Sequence, residues 1–198
     1  GELGISKVQV RLNSLGDRDS VNRFSREVQA HLRKNWHELP SPARTLMRDD
    51  CFSCLSYLHE KGHASSQSAP RSVDYLSEGS RRHLTEFLEF LESMSVPYTL
   101  DASLLREREA LCQSLFELYE EHEEGPRVFA RGGRYDDLGR RIFKTAVPAA
   151  GLTFVVEGSA IPAQAAKVAP RRPKIFFIQV GPEARRKSLG VLESLRQA

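Results

Sequence analysis

Ala130-Arg131-Gly132-Gly133-Arg134-Tyr135-Asp136-Asp137-Leu138 is the stretch on which the reading of this chain turns. Two adjacent glycines let the backbone bend and come close to a ligand or a neighbouring strand. An arginine, an aromatic ring and two carboxylates follow at once, so a fork of hydrogen-bond donors and a flat ring stand beside the bend. Core packing alone rarely calls for that combination.

The flanking segments read as strands. Residues 127–130 and 152–157 are short apolar runs, the second nearly all apolar and so of the buried kind. Residues 8–12 (Val-Gln-Val-Arg-Leu) alternate apolar and polar, as a half-buried strand does, and Asn13-Ser14-Leu15-Gly16 breaks the pattern. Ser20 then caps a helix with Val21, Phe24, Val28 and Leu32 on its apolar face, and Pro40 and Pro42 stop it. Residues 63–72 are rich in Ser, Ala and Pro and read as a loop. Ser80 starts a second helix with Leu84, Phe87, Leu88 and Leu91 on one face, and residues 97–100 form a short strand. Residues 104–124 are helical by period, since Leu104, Leu111, Leu115 and Leu118 fall on one side; a strand over 114–119 is the competing reading. The Ala- and Pro-rich residues 161–173 form a linker. Residues 174–180 read as a buried strand, and Gly181-Pro182 leads into a helix through Leu189, Leu192 and Leu195.

The chain has 198 residues, 40% hydrophobic and 28% charged, which suits one or two ordinary globular domains. Its net charge of +3, from 29 basic and 26 acidic residues, is too small to argue for nucleic-acid binding by bulk electrostatics. No apolar run approaches the roughly 20 residues of a membrane span. No signal peptide opens the chain, and Gly1 in place of methionine suggests a piece of something longer. Three cysteines, an odd number, argue against a disulfide framework and for a reducing, cytoplasmic setting.

Taken in order, these segments resemble the histidyl-tRNA synthetase family from just after its second class II motif to the start of its anticodon-binding domain. Residues 10–16 match the strand and turn leading into the family's helical insertion, and residues 69–76 and 96–99 follow that insertion to its end. Residues 132–138 match the motif that lines the histidine pocket, and Pro148-Ala149-Ala150-Gly151 with Glu157 resembles the third class II motif. The resemblance implies an α+β fold: part of a class II synthetase antiparallel sheet, a helical insertion, and the start of an α/β anticodon-binding-type domain. It divides the chain into a partial catalytic core over 1–13 and 96–160, an insertion over 14–95, a linker over 161–173 and the start of the last domain over 174–198. It implies a histidine-binding role for Gly132, Gly133, Arg134, Tyr135 and Glu157, and a catalytic one for Arg106. It also implies a homodimer in the full-length protein, tRNA as partner, and ATP with Mg2+ in a true ligase.

The sequence departs from the family where the chemistry should lie. The family's leucine-valine-arginine-glycine-leucine-aspartate-tyrosine-tyrosine motif falls on residues 104–111. Arg106 is kept, but Glu107 replaces the glycine, and Ala110 and Leu111 replace both tyrosines. A carboxylate near an ATP phosphate is repulsive, and the lost hydroxyls remove a polar handle for the imidazole. The third motif's phosphate-clamping arginine falls on Gly158, which supplies no charge. The expectation is therefore a synthetase-like paralogue, impaired in catalysis, that binds a ligand such as histidine or a partner. The alternatives are part of a genuine histidine–tRNA ligase, the regulatory subunit of ATP phosphoribosyltransferase, and a scaffold whose glycine pair only shapes the sheet.

Cys51, Cys54, His59 and His63 form a C-x2-C-x4-H-x3-H pattern, the spacing of a compact zinc knuckle. The competing reading is two buried cysteines on an amphipathic segment followed by two solvated histidines. His59-Glu60-Lys61-Gly62-His63 also fits the H-E-x-x-H protease pattern, but Gly62 argues for a helix end. Arg81-Arg82-His83 and Arg171-Arg172 read as solvated charge rather than phosphate contacts, residues 120–124 as a solvated acidic turn, and Trp36 as a packing anchor.

Overall fold

The computed structural model describes residues 8–105, 112–123, 125–145, 147–155 and 175–197. The first strand, β1 (Gln9–Gly16), leads into α1 (Arg18–Lys34), α2 (Ser41–Asp49), α3 (Cys51–Glu60), the single turn α4 (Ala64–Gln67), a 3-10 turn (Ser72–Tyr75) and α5 (Glu78–Ser93). The chain then returns to the sheet as β2 (Tyr98–Leu100), β3 (Cys112–His122) and β4 (Gly125–Arg134). A short helix α6 (Asp136–Phe143), the strand β5 (Ala150–Phe154) and a helix α7 (Pro182–Gln197) follow.

The five strands lie in the order β2-β1-β3-β4-β5. β1, β3, β4 and β5 pair antiparallel, while β2 runs parallel to β1. A parallel neighbour needs a long crossover, and the five helices between β1 and β2 supply it. Alternation along β1 divides its side chains between two helical layers. Leu15, with Leu105 and Leu115, shares a core with Phe24, Val28 and Leu32 of α1 and Phe52, Leu55 and Leu58 of α3. Val10 and Leu12, on the other face, pack with Leu76 and with Leu84 and Leu91 of α5. The rings of Phe24 and Phe52 stack at 5.2 Å between centroids. The helices thus bury their apolar stripes directly on the sheet.

The turn after β1 ties these layers together. Gly16 has φ +73°, and a Cβ there would lie 2.6 Å from the Ser20 Cβ and 2.8 Å from the Leu76 Cδ2. Only glycine fits that bend. Asp17, rather than Ser20, caps α1: its carboxylate accepts from the Ser20 amide at 2.9 Å and the Ser20 hydroxyl at 2.8 Å. The same carboxylate accepts from the Ser77 hydroxyl at 2.5 Å, and Ser77 is the cap of α5. The Asp17 amide donates to the Ser80 hydroxyl at 2.9 Å, and the Ser77 amide to the Ser20 hydroxyl at 2.8 Å. Burial opposes the Asp17 charge, but the hydrogen bonds from Ser77, Ser20 and Ser80 outweigh it and hold the carboxyl down to about 2. Asn13, just before the turn, is 2% exposed and bonded at both ends of its side-chain amide: its nitrogen donates to the Leu104 carbonyl at 2.9 Å, and its oxygen accepts from the Ser14 amide and the Ser72 hydroxyl.

Several expectations are corrected. The first helix ends at Lys34, ahead of Pro40; Pro42 instead sits in the first turn of α2, where its missing amide hydrogen costs nothing. α5 starts at Glu78 behind Ser77, not at Ser80. The 63–72 stretch holds the α4 turn, and α2, α3 and α6 are additional helices. Residues 112–122 are a strand, which overturns the helical reading there and bears out the competing strand over 114–119, because both of its edges are claimed by pairing with β1 and β4; residues 106–111 lie outside the described residues. Every residue of β5 is exposed, although an apolar run there reads as buried. Residues 175–180 are exposed and not in a strand: Phe176 is 90% exposed. The 161–173 linker lies outside the described residues.

Replacing Asp17 by Ala removes a cap shared by two helices and should lower the unfolding free energy at neutral pH by about 1–2 kcal/mol. The folded-state carboxyl is depressed, so its contribution is present above about pH 4 and lost as pH falls towards about 2; urea melts of both proteins should converge over that window. Gly16→Ala, forced into a left-handed conformation without room for its methyl, should cost at least about 1–2 kcal/mol in the same assay.

Candidate functional site

The strand register aligns one row of residues across the whole sheet: Thr99, Arg11, Glu117, Arg131 and Thr153. Three of them form an ion cluster. Glu117 is 4% exposed. Its Oε2 accepts from Arg11 Nε at 2.6 Å and Nη2 at 2.5 Å, while its Oε1 meets Arg131 Nε at 2.8 Å. Arg11 also lies 3.7 Å from Asp101 and stands over the Tyr119 ring at 5.4 Å. A carboxylate taken out of water needs this degree of pairing, and two guanidinium forks supply it on both oxygens.

The cluster floors a cleft of about 590 Å3. Leu104, Leu105, Leu115 and Leu138 give it apolar walls, Tyr135 an aromatic one, and Ser56 of α3 and Ser103 two hydroxyls. The bond from the Asn13 amide to the Leu104 carbonyl fixes the loop at the rim. A mostly apolar hollow with a few convergent polar groups is the usual form of a small-molecule site.

The pocket motif is divided between this cleft and its reverse side. Gly132 lies under the Phe116 ring: a Cβ there would meet Phe116 Cζ at 2.5 Å, the Gly151 carbonyl at 2.7 Å and Leu152 Cβ at 2.8 Å. Gly133 pairs in register with Leu115 and Gly151. Tyr135 lines the cleft, and its amide donates to the Ala149 carbonyl at 2.7 Å. Arg134 is not among the lining residues. Its guanidinium clamps Asp136, Nε to Oδ1 at 3.2 Å and Nη2 to Oδ2 at 2.8 Å, and its Nη1 lies 2.9 Å from His83 Nε2 on α5. Arg106 and Glu157, with Glu107, Ala110, Leu111 and Gly158, lie outside the described residues.

Arg11 and Glu117 are site residues that the linear pattern does not single out; Arg131 lies in the quoted stretch without an assigned role, and His83, read as solvated charge, is instead half-buried against Arg134. One signal was available: Leu115, Glu117 and Tyr119 fall on one face of a strand, so a carboxylate occupies a core position there.

The structure does not gather the zinc-knuckle residues Cys51, Cys54, His59 and His63 into one cluster. Among the described residues, no group of three or more His, Cys, Asp or Glu is placed to hold a metal ion. Cys51 and Cys54 face the core from α3, and the Cys51 thiol sits 3.4 Å from the Ser25 hydroxyl. Burial, reinforced by Cys51 and Asp50, pushes the Cys54 thiol up to about 11. His59 is in the last turn of α3, and burial lowers its pKa. His63 lies past the bend at Gly62 (φ +59°) and caps α4, its Nδ1 accepting from the Ser65 amide at 3.2 Å. The same bend keeps His59 and His63 off a common helix, which removes the H-E-x-x-H reading.

Comparison with known proteins agrees with this architecture. The family described as Histidyl-tRNA synthetase matches residues 13–158. The histidine–tRNA ligase of Chlorobium phaeobacteroides is 25% identical over 201 residues, covering 99% of this chain and 46% of that protein. The ligase of Thermus thermophilus is 27% identical over 200 residues, covering 98% of this chain and 48% of that protein. Apo histidyl-tRNA synthetase of S. aureus superposes with a TM-score of 0.60 at 22% identity, over 98% of this chain and 48% of that structure, a likeness of fold. The chain thus spans about half the length of the curated relatives it matches. The five-stranded sheet with its helical layers is the class II synthetase catalytic fold in part, and the chain belongs to the histidyl-tRNA synthetase family.

Proposed function

We propose that this chain is a histidyl-tRNA synthetase-like module that holds a small amino-acid-like ligand in the cleft and does not activate it with ATP. The observation that carries this reading is the Arg11–Glu117–Arg131 cluster. A phosphate clamp needs guanidinium groups facing an anion with no competing charge. Here two guanidiniums converge on a buried carboxylate that would repel a phosphate. The floor therefore fits ATP poorly, and the replacements at Glu107, Ala110, Leu111 and Gly158 point the same way. Tyr135, the leucine walls and the two serine hydroxyls suit a compact ligand with one ring and a few polar atoms.

Histidine is the first ligand to try because the curated relatives carry the name histidine–tRNA ligase. Binding of tRNA and assembly into a homodimer belong to this reading as properties of the whole protein. A reducing, cytoplasmic setting belongs to it too, supported by three buried cysteines that form no disulfide. Among the described residues, no helix is long and apolar enough to cross a membrane.

Histidine-dependent ATP–pyrophosphate exchange, run on the longest natural version of the protein beside an active synthetase, tests the proposal. The expected result is no exchange above background, with histidine at roughly 100 times its Kd adding about 2.7 kcal/mol of stability in a thermal melt. Exchange above background would make the chain part of a working ligase; neither exchange nor stabilisation would leave a scaffold. Separately, Glu117→Ala leaves two guanidiniums facing each other and should cost about 3 kcal/mol in urea unfolding.

A further inference from the structure

The reverse side of the pocket motif carries a polar cluster that the cleft itself does not use. His83 projects from α5 towards the ends of β3 and β4. A guanidinium only donates, so Arg134 Nη1 at 2.9 Å makes His83 Nε2 the acceptor. The ring proton then sits on Nδ1, which is 3.5 Å from the Ser114 hydroxyl. Arg134 gives its other two nitrogens to Asp136, whose Oδ1 also accepts from the Ala149 amide at 3.0 Å. The Ala149 carbonyl in turn accepts from the Tyr135 amide at 2.7 Å. One hydrogen-bonded series thus runs from α5 through Arg134 and Asp136 to both polar atoms of residue 149. It ends on the residue that forms the aromatic wall of the cleft.

We propose that neutral His83 is a positioning residue: by accepting from Arg134 it holds Tyr135 and the strand entry at residue 149 in place at the cleft. This deepens the reading of the cleft as a ligand site and rests on that reading for its effect on affinity. Asn or Gln could accept a hydrogen bond equally well, but histidine becomes a donor when protonated and would then set a second cation against Arg134. The groups facing the ring are Arg134 and Asp136 from the end of β4 and the start of α6, Ser114 from β3, and Glu86 from its own helix. Burial first, and then the Arg134 charge, hold the imidazole below its ordinary value, while Asp136 and Glu86 pull the other way. The ring is therefore neutral at pH 7 and protonates only in more acidic solution.

The test is hydrogen exchange at the Tyr135 and Ala149 amides of the full chain, corrected for intrinsic rates, at pH 7.5 and 5. Wild type should lose protection by roughly tenfold on acidification, the effect of one charge-assisted bond. His83→Gln keeps an acceptor that does not titrate and should stay protected at both pH values, whereas His83→Ala should be unprotected at both. A wild-type protection that ignores pH, or a Gln variant that follows the wild-type profile, overturns the assignment; a purely structural role would give no pH profile to abolish. Histidine affinity of wild type and His83→Gln supplies the second readout. The ligand's own imidazole titrates alike with both proteins, so the ratio of their Kd values isolates His83. That ratio should be near one at pH 7.5 and favour the Gln variant several-fold at pH 5. An exchange profile as described without any histidine binding would uphold His83 and remove the ligand reading of the cleft.

Discussion

One carboxylate sets the frame of this molecule. Asp17 follows the glycine turn at the end of β1 and takes hydrogen bonds from the first turn of α1 and from the capping hydroxyl of α5 at once. Helix N-termini present unpaired amides and partial positive charge, so an anion shared between two of them is favoured twice over. Those two helices belong to opposite layers: α1 to the core around Phe24 and Phe52, α5 to the core around Leu84 and Leu91. Both layers are therefore positioned from a single point on the sheet. α5 carries His83, so the contact that orders the reverse of the pocket motif is fixed, in part, from that same turn.

The cleft depends on a second constraint, the cost of a buried charge. Glu117 stands in the middle of the sheet where a strand normally places an apolar side chain, and it is tolerated because neighbouring strands offer an arginine on either side. The register makes this possible: a slip of one residue in either pairing would turn that strand's guanidinium to the opposite face. The ion cluster and the strand order thus specify one another. The same cluster determines what the cleft can accept, since its charges are already satisfied internally and the remaining walls are apolar or weakly polar.

How much of this could be read from the linear chain depends on whether one face of each element meets solvent. α1 and α5 each bury one side, so their apolar spacing shows clearly in the sequence, and β1 keeps a legible alternation over residues 8–12 because its inner row is polar at Gln9 and Arg11. β3 carries apolar side chains on both faces, Leu115 buried on one and Phe116 and Leu118 half-buried on the other, which blurs the two-residue alternation in the sequence and leaves leucines whose spacing imitates a helix. α6 escapes notice for the opposite reason: Ile142 and Phe143 are 61% and 63% exposed, so its apolar residues mark no core. β5 and residues 175–180 show that an apolar run records a tendency to be covered, not the presence of a cover. In the site, Gly132 and Tyr135 were legible because an unusual motif holds them. Arg11 and Glu117 are 106 residues apart, and their meeting becomes visible only once the register is known. Cys51 and Cys54 face the core from α3 while His63 lies past the Gly62 bend, a separation that spacing alone does not encode.

Gly132 has an implication for how members of this family are recognised. Its lack of a side chain is required by the Phe116 ring and the Gly151 carbonyl, which are packing contacts within the sheet. Substitution would be purged by misfolding whether or not the protein still acts on a substrate. A glycine held by such mechanical necessity is a marker of descent and architecture. Genomic surveys that count this signature will register every inheritor of the sheet, and ranking them by competence requires positions whose only duty is chemical.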